Sequence, residues 1–257
     1  MSSVSSVNNT QEISPYTTGG RIDPYAIYKL NFEALGGEKN VRYDSNFFFK
    51  GEMTMDGQTF EIEEFLRKPL KSLRTISSNF KVLYRLGDDG VNLWSFQDDK
   101  LNKFYDGDSP EREIRKLWEE YAYTDPKNKV FTSTGIRKVS VDGTNCYEIK
   151  IKNRKTDEVV THYYDSNTFL LKRELRDSSQ DKIQTDFDDY RSVGNILMAF
   201  KKDVTYLNTN NKQSIVWDKI DKGLYISDSK FLPPADKNNP DDLSSLLGLG
   251  VNFSTYA

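Results

Sequence analysis

Phe47-Phe48-Phe49-Lys50-Gly51-Glu52-Met53-Thr54-Met55-Asp56-Gly57 is the run on which the reading of the fold turns. Phe47, Phe49, Gly51, Met53 and Met55 fall on one face at a period of two, and Phe48, Lys50, Glu52 and Thr54 fall on the other. That alternation marks a strand, because successive side chains of extended chain point to opposite sides. Asp56-Gly57 follows as a two-residue hairpin signal. The returning stretch alternates again, with Phe60, Ile62 and Glu64 on one side and Glu61, Glu63 and Phe65 on the other.

The same grammar extends outward. Residues 73–77, 81–86, 91–96 and 101–105 read as further short strands, with Asp88-Asp89-Gly90 as a turn. Strands resume at 135–141, 146–153, 159–165, 169–177, 182–189, 197–207 and 213–220, separated by turns such as Asp142-Gly143 and Asp165-Ser166-Asn167. Many short strands at regular spacing predict an antiparallel meander. Helices punctuate it. Asp23-Pro24 is an N-cap followed by proline at the first helical position, Tyr25, Tyr28, Phe32 and Leu35 recur at helical spacing, and Gly36-Gly37 stops the run. Ser109-Pro110 starts a second helix with Glu111 and Glu113 at its positive end. Ile114, Leu117, Trp118 and Tyr121 form its apolar stripe, and Asp125-Pro126 ends it. Pro233-Pro234 breaks the chain before a short amphipathic C-terminal helix around Leu243, Leu246 and Leu247. The expected organisation is a flexible Ser/Asn/Thr-rich tail over 1–21, one β domain over 22–233, and a C-terminal tail over 234–257.

Composition narrows the function classes. The 257 residues are 36% hydrophobic and 29% charged, yet 15 Tyr, 15 Phe and 3 Trp supply a core. A net charge of -3 and interleaved signs give no basic stripe for nucleic acid. One cysteine, Cys146, and one histidine, His162, exclude an internal disulfide and zinc clusters built on several such ligands. No run of roughly 18 apolar residues suggests a transmembrane helix. The chain opens without a visible signal peptide; the Ser-rich tail favours a processed exported form with Met1 added over a cytoplasmic protein.

Leu66-Arg67-Lys68-Pro69, followed by Asp89-Gly90-Val91-Asn92-Leu93-Trp94-Ser95-Phe96, resembles the Lys-Arg-Pro and Asp-Gly-x-x-Leu-Trp core of LolA/LolB-like lipoprotein carriers. Ala34-Leu35-Gly36-Gly37, Cys146-Tyr147-Glu148-Ile149-Lys150, Tyr164-Asp165-Ser166-Asn167-Thr168-Phe169-Leu170 and Asp188-Asp189-Tyr190-Arg191-Ser192-Val193-Gly194 are similar to the bacterial outer membrane lipoprotein-sorting group. Ser229-Lys230-Phe231-Leu232-Pro233 resembles its closing strand, so the likeness spans about 24–233. The resemblance implies a mainly β fold, an open antiparallel half-barrel of about eleven strands with a few short helices covering the concave face. It implies a periplasmic or outer-membrane-associated carrier that shields the acyl chains of a lipid or lipoprotein, without a cofactor. The carriers place an arginine directly before the proline, where it is thought to fasten the helical lid. Here Lys68 holds that position and Arg67 precedes it; a lysine has no planar fork. Arg67 and Lys68 are the candidate lid contacts.

Acyl chains need an adaptable apolar surface. Phe47, Phe49, Met53, Met55, Phe60 and Ile62 are the candidates for one wall of a hollow that the protein's own side chains leave incompletely filled. Tyr147, Ile149, Ile151, Phe169, Leu171, Met198 and Phe200 are candidates for the others. Trp94 and Trp118 are further cavity candidates, placed where they could meet across the gap between sheet and helix, with a core role favoured over a ligand-gating one. His162 reads as a partly exposed strand residue and Cys146 as a small buried hydrophobe. Asp186, Asp188 and Asp189, and Asp106 with Asp108, lack a full EF-hand pattern. No Gly-x-Ser-x-Gly elbow points to a hydrolase, so the expectation is a non-enzymatic monomer. The alternative is an envelope protein-interaction or stress-sensing module on the same half-barrel.

Overall fold

The computed structural model describes residues 22–43, 46–105, 109–178 and 181–234. The tail over 1–21, Asp106, Asp108 and the expected C-terminal helix lie outside the described residues. Helix α1 (Pro24–Ala34) begins as expected, with the Asp23 carboxylate accepting from the Tyr25 amide at 3.1 Å. Helix α2 (Glu38–Tyr43) follows directly.

The chain then lays down β1 (Asn46–Met55), β2 (Gln58–Arg67), β3 (Lys71–Ser78), β4 (Lys81–Asp88), β5 (Asn92–Gln97) and β6 (Lys100–Tyr105) as one meander. Helix α3 (Pro110–Glu119) and a 3-10 turn (Ala122–Thr124) carry it across to a second meander. That one comprises β7 (Phe131–Val141), β8 (Thr144–Asn153), β9 (Val159–Asp165), β10 (Leu171–Asp177), β11 (Lys182–Val193), β12 (Ile196–Tyr206) and β13 (Asn211–Lys222). Strand β13 returns to pair antiparallel with β1, so the two meanders form one 13-stranded sheet in the order β6-β5-β4-β3-β2-β1-β13-β12-β11-β10-β9-β8-β7. Strands β6 and β7 stand at opposite ends of that order, and the sheet remains an open half-barrel with more strands than the resemblance implies.

Two boundaries moved for local reasons. Strand β7 starts early, at Phe131, where the Asn128 side chain accepts from the amides of Val130 and Phe131. Strand β10 starts late, at Leu171, because Phe169 adopts φ +57° in the preceding turn. One expected element is corrected. Residues 229–233 are no closing strand; Asp228–Phe231 is a 3-10 turn capped by the Ser227 hydroxyl.

Register decides which side chains face inward. Phe47, Phe49, Gly51 and Met53 of β1 stand opposite Leu66, Glu64, Ile62 and Phe60 of β2. The same β1 residues from Phe49 onward stand opposite Ile220, Trp217 and Ile215 of β13. The β1–β13 register shifts between Lys50 and Gly51. A Cβ on Gly51 would sit 2.1 Å from the Val216 carbonyl oxygen, so only glycine permits this approach. Such an irregularity increases local twist and bends the strand. The inner face carries the main core, which runs continuously from α1 through β1, β2 and β7–β13. A smaller cluster of Leu73, Trp94, Ile226 and Phe231 forms the second. Its Leu73 pairs with Phe65, whose neighbours Glu64 and Leu66 point inward, so it lies on the outer face.

Candidate functional site

Helix α1 crosses the inner face and is tied down at three places. The Tyr28 hydroxyl meets Ser133 Oγ of β7 at 2.7 Å. Asn31 Nδ2 donates to the Phe169 carbonyl at 2.8 Å, and the Leu197 amide at the start of β12 donates to the Leu35 carbonyl at 2.9 Å. Ile27, Tyr28, Leu30 and Phe32 are the side chains α1 buries. Arg42 of α2 locks this cover to the segment after α3, donating to the Glu120 carbonyl at 2.7 Å and to Thr124 Oγ1 at 2.6 Å. Its guanidinium also lies over the rings of Phe32 and Tyr121, at 4.9 and 5.8 Å. Helix α3 is anchored on β4, where Arg112 Nη2 reaches the buried Asp88 carboxylate at 2.9 Å and Arg115 reaches it at 3.5 Å. Burial pushes the Asp88 carboxyl up, against the Gly90 amide and both arginines, which pull it down.

Between cover and sheet lies a cavity of about 40 Å³. Its floor is Phe47, Phe49 and Leu66 with Met198 and Ala199, and its roof is Leu35, Val41 and Tyr121. Two lysines, Lys68 and Lys202, also line it. A water molecule needs roughly 10–15 Å³ of such volume, so the cavity holds a few waters and no hydrocarbon tail. Side chains of α1, α2 and the segment after α3 fill what the sheet alone would leave open. Lys68 Nζ donates to the Tyr121 hydroxyl at 3.2 Å and stands 4.8 Å from the centre of that ring. Lys202 is 8% exposed, with core residues Phe187 and Ile215 as its strand neighbours. Burial pushes its ammonium down to about 8, against the upward pull of Glu64. Glu64 itself is ion-paired with Arg74.

A buried polar group sits deeper under α3. His162 Nδ1 lies 2.9 Å from the Tyr164 hydroxyl, and its Nε2 lies 3.1 Å from Glu174 Oε2. Arg176 bridges Glu174 and Glu158 at 3.4 and 2.9 Å and places its guanidinium 5.4 Å from the Trp118 ring centre. Burial pushes the Glu174 carboxyl up, but Arg176 and His162 outweigh it and hold the group below the usual carboxylate range. The tyrosine hydroxyls of Tyr123 and Tyr164 are driven well above their ordinary value by burial. His162 is therefore not the partly exposed strand residue expected. It is 2% exposed, because Tyr123 and Trp118 roof that part of β9.

The predicted wall residues divide into three groups. Phe47, Phe49 and Met198 reach the cavity itself. Met53, Ile62, Tyr147, Ile149, Ile151, Leu171 and Phe200 are buried in the inner core, with Phe60, Trp118 and Phe169 partly buried against it. Met55 is half-buried at the end of β1, beside Gln213. Trp94 is the exception. Its indole donates to the Phe231 carbonyl at 2.9 Å within the outer-face cluster, so it neither lines the cavity nor meets Trp118. The lid pair divides the same way. Lys68 touches the cover, whereas Arg67 points to the outer face, binds the Ile226 carbonyl at 2.9 Å and pairs with Asp228. Cys146 is fully buried, and burial pushes its thiol up to about 11. Asp186 and Asp189 are paired with Arg173 and Arg191. Among the described residues no cluster suited to a metal ion occurs, and no helix is long and apolar enough to cross a membrane.

Lys202 was missed, although it was legible. Met198, Phe200 and Lys202 alternate along β12, which is a signal that the lysine shares the apolar face. The Glu174–His162 contact left no such signal, because it joins β10 to β9 across a register that the sequence does not state, whereas Glu174 and Arg176 share one face of β10 at a period of two.

No protein-family model matches the sequence, and no curated protein matches it. Solved structures do resemble its architecture. A DUF1329 family protein from Desulfovibrio piger superposes with TM-score 0.55 at 13% identity, covering 80% of this chain and 96% of its own. A LolA superfamily protein from Nitrosomonas europaea gives 0.52 at 10% identity, over 79% and 96%. The fold is LolA-like. An outer membrane lipoprotein-sorting domain from Vibrio parahaemolyticus supports the same LolA-like architecture, with TM-score 0.54 at 9% identity over 80% and 95% of the two chains. At such identities the likeness is one of fold.

Proposed function

We propose that this LolA-like chain is a non-enzymatic, periplasmic carrier that takes the acyl chain of a lipid or lipoprotein onto its inner face in place of the helical cover. The observation that carries the reading is the roofed apolar floor of Phe47, Phe49, Leu66 and Met198, with a residual cavity at the place where α1, α2 and Tyr121 converge. Loading requires that cover to move. Swinging it aside re-exposes about five large apolar side chains, Ile27, Leu30, Phe32, Leu35 and Val41, each worth about 1.5–3 kcal/mol. An acyl chain of about sixteen carbons regains about 0.8 kcal/mol per methylene buried. The two quantities are of similar size, which is what reversible exchange of ligand for lid demands.

The test is native mass spectrometry of the purified full chain, with lipid extraction, beside titration with a fluorescent fatty acid. A one-to-one lipid adduct or saturable uptake is expected. Ligand-free protein that takes up no fatty acid overturns the reading, and recovery of one stoichiometric envelope protein without lipid favours the interaction module instead.

A further inference from the structure

An apolar cavity meant for hydrocarbon alone has no use for ammonium groups at its wall, since burying one is costly. This cavity has two, from segments far apart in the chain. Lys68 follows directly after β2, and Lys202 lies within β12. They stand beside Phe47, Phe49 and Met198, so cationic and apolar lining share one small space. Both lysines are placed by register: Lys202 pairs with inward-facing Ile215 and Phe187, and Lys68 leaves β2 one residue past the last β1–β2 pair.

We propose that the ligand is an amphiphile bearing a single anionic group, a carboxylate or a phosphate, which Lys68 and Lys202 bind while its tail lies on the Phe47–Phe49–Met198 floor. The inference rests on the carrier reading and adds the chemistry of the head group. The desolvation that holds the Lys202 ammonium at about 8 is relieved by an anionic head group beside it, which adds to the pull of Glu64 and Glu174. An anion at Lys68 also competes with the Tyr121 hydroxyl that Lys68 now holds. Head-group binding would thereby loosen one of the contacts that fasten the cover, and let the tail enter.

The experiment displaces the neutral probe N-phenyl-1-naphthylamine from the full chain at pH 7 with dodecanol, dodecanoate and dodecyl phosphate. Each competitor has the same tail, so the ratio of affinities within one protein reads the head group alone. At least one anion is expected to bind 10-fold or more tightly than the alcohol, and whichever does names the source, fatty acid or phospholipid phosphate. That preference is expected to fall several-fold in Lys68→Met and in Lys202→Met. Lys68 is half-exposed, so its variant reports even if the buried substitution at Lys202 does not fold. An alcohol that competes as well as both anions overturns the head-group proposal and leaves the carrier standing. A preference that survives both substitutions overturns the assignment to these lysines. A probe that never binds removes the carrier reading and this one with it.

Discussion

Lys202 has Phe187 and Ile215 as strand neighbours, and its ammonium is held at about 8 instead of 10.5 by burial, with Glu64 and Glu174 pulling it up and Arg74 and Lys68 pulling it down. Below pH 8 the lysine is charged both folded and unfolded, and the penalty of burying it is felt in full. Between about 8 and 10.5 the unfolded chain holds the proton and the folded one does not, so this group makes stability rise with pH. The buried tyrosines, raised by desolvation, pull the opposite way above pH 10 but are common to both proteins. Urea denaturation of the wild type and Lys202→Met across that window should therefore show the difference moving in the wild type's favour, by on the order of 3 kcal/mol at most. A difference that stays flat would show the ammonium to be well solvated. At this scale the sequence was readable wherever alternation assigns a face. Phe47, Phe49 and Met198 were found that way, and Trp94 was not, because neighbouring Leu93, Trp94 and Ser95 are all buried and alternation cannot choose between the faces.

Helix α1 ends where it must touch the turn between β11 and β12. Gly36 has φ +111°, and a Cβ there would lie 2.2 Å from the Asn195 carbonyl oxygen. The turn is further stitched to the helix by the Leu197–Leu35 hydrogen bond. Gly36→Ala adds the strain of an L-residue at positive φ, about 1–3 kcal/mol, and a backbone clash that only lifting the helix end relieves. A lower melting temperature together with tighter binding of the apolar probe is expected, because the same event that costs stability opens the cover. Lowered stability with unaltered probe binding would mean that α1 does not gate the floor. The caps and stop signals of α1 and α3 were plain in Asp23-Pro24, Gly36-Gly37 and Ser109-Pro110, since they act within one turn of chain. What the segment over 228–231 does was not, because its partners Arg67, Lys71 and Trp94 lie more than a hundred residues away.

The described residues build one sheet with one seam. Hairpins join every other pair of neighbouring strands, whereas β1 and β13 are brought together from opposite ends of the domain. The helices pack mainly over the inner core that this seam helps to build. Amide hydrogen exchange should be slowest in β1, β2, β12 and β13 and fastest at the edges β6 and β7, since local opening scales inversely with buried contact. Equal protection across the sheet would mean that it opens only by global unfolding.

The sequence by itself determined the thirteen strands in outline, two of the helices with their caps, and the apolar stripe of β1, because period, turn chemistry and capping are local properties of the chain. Only the tertiary structure decided that β13 closes on β1, that the helical cover roofs the floor built on β1 and β12, and that Lys68 and Lys202 line one cavity between them. Those outcomes depend on which distant surfaces meet and how much volume their side chains occupy, and neither is written in any one stretch of residues.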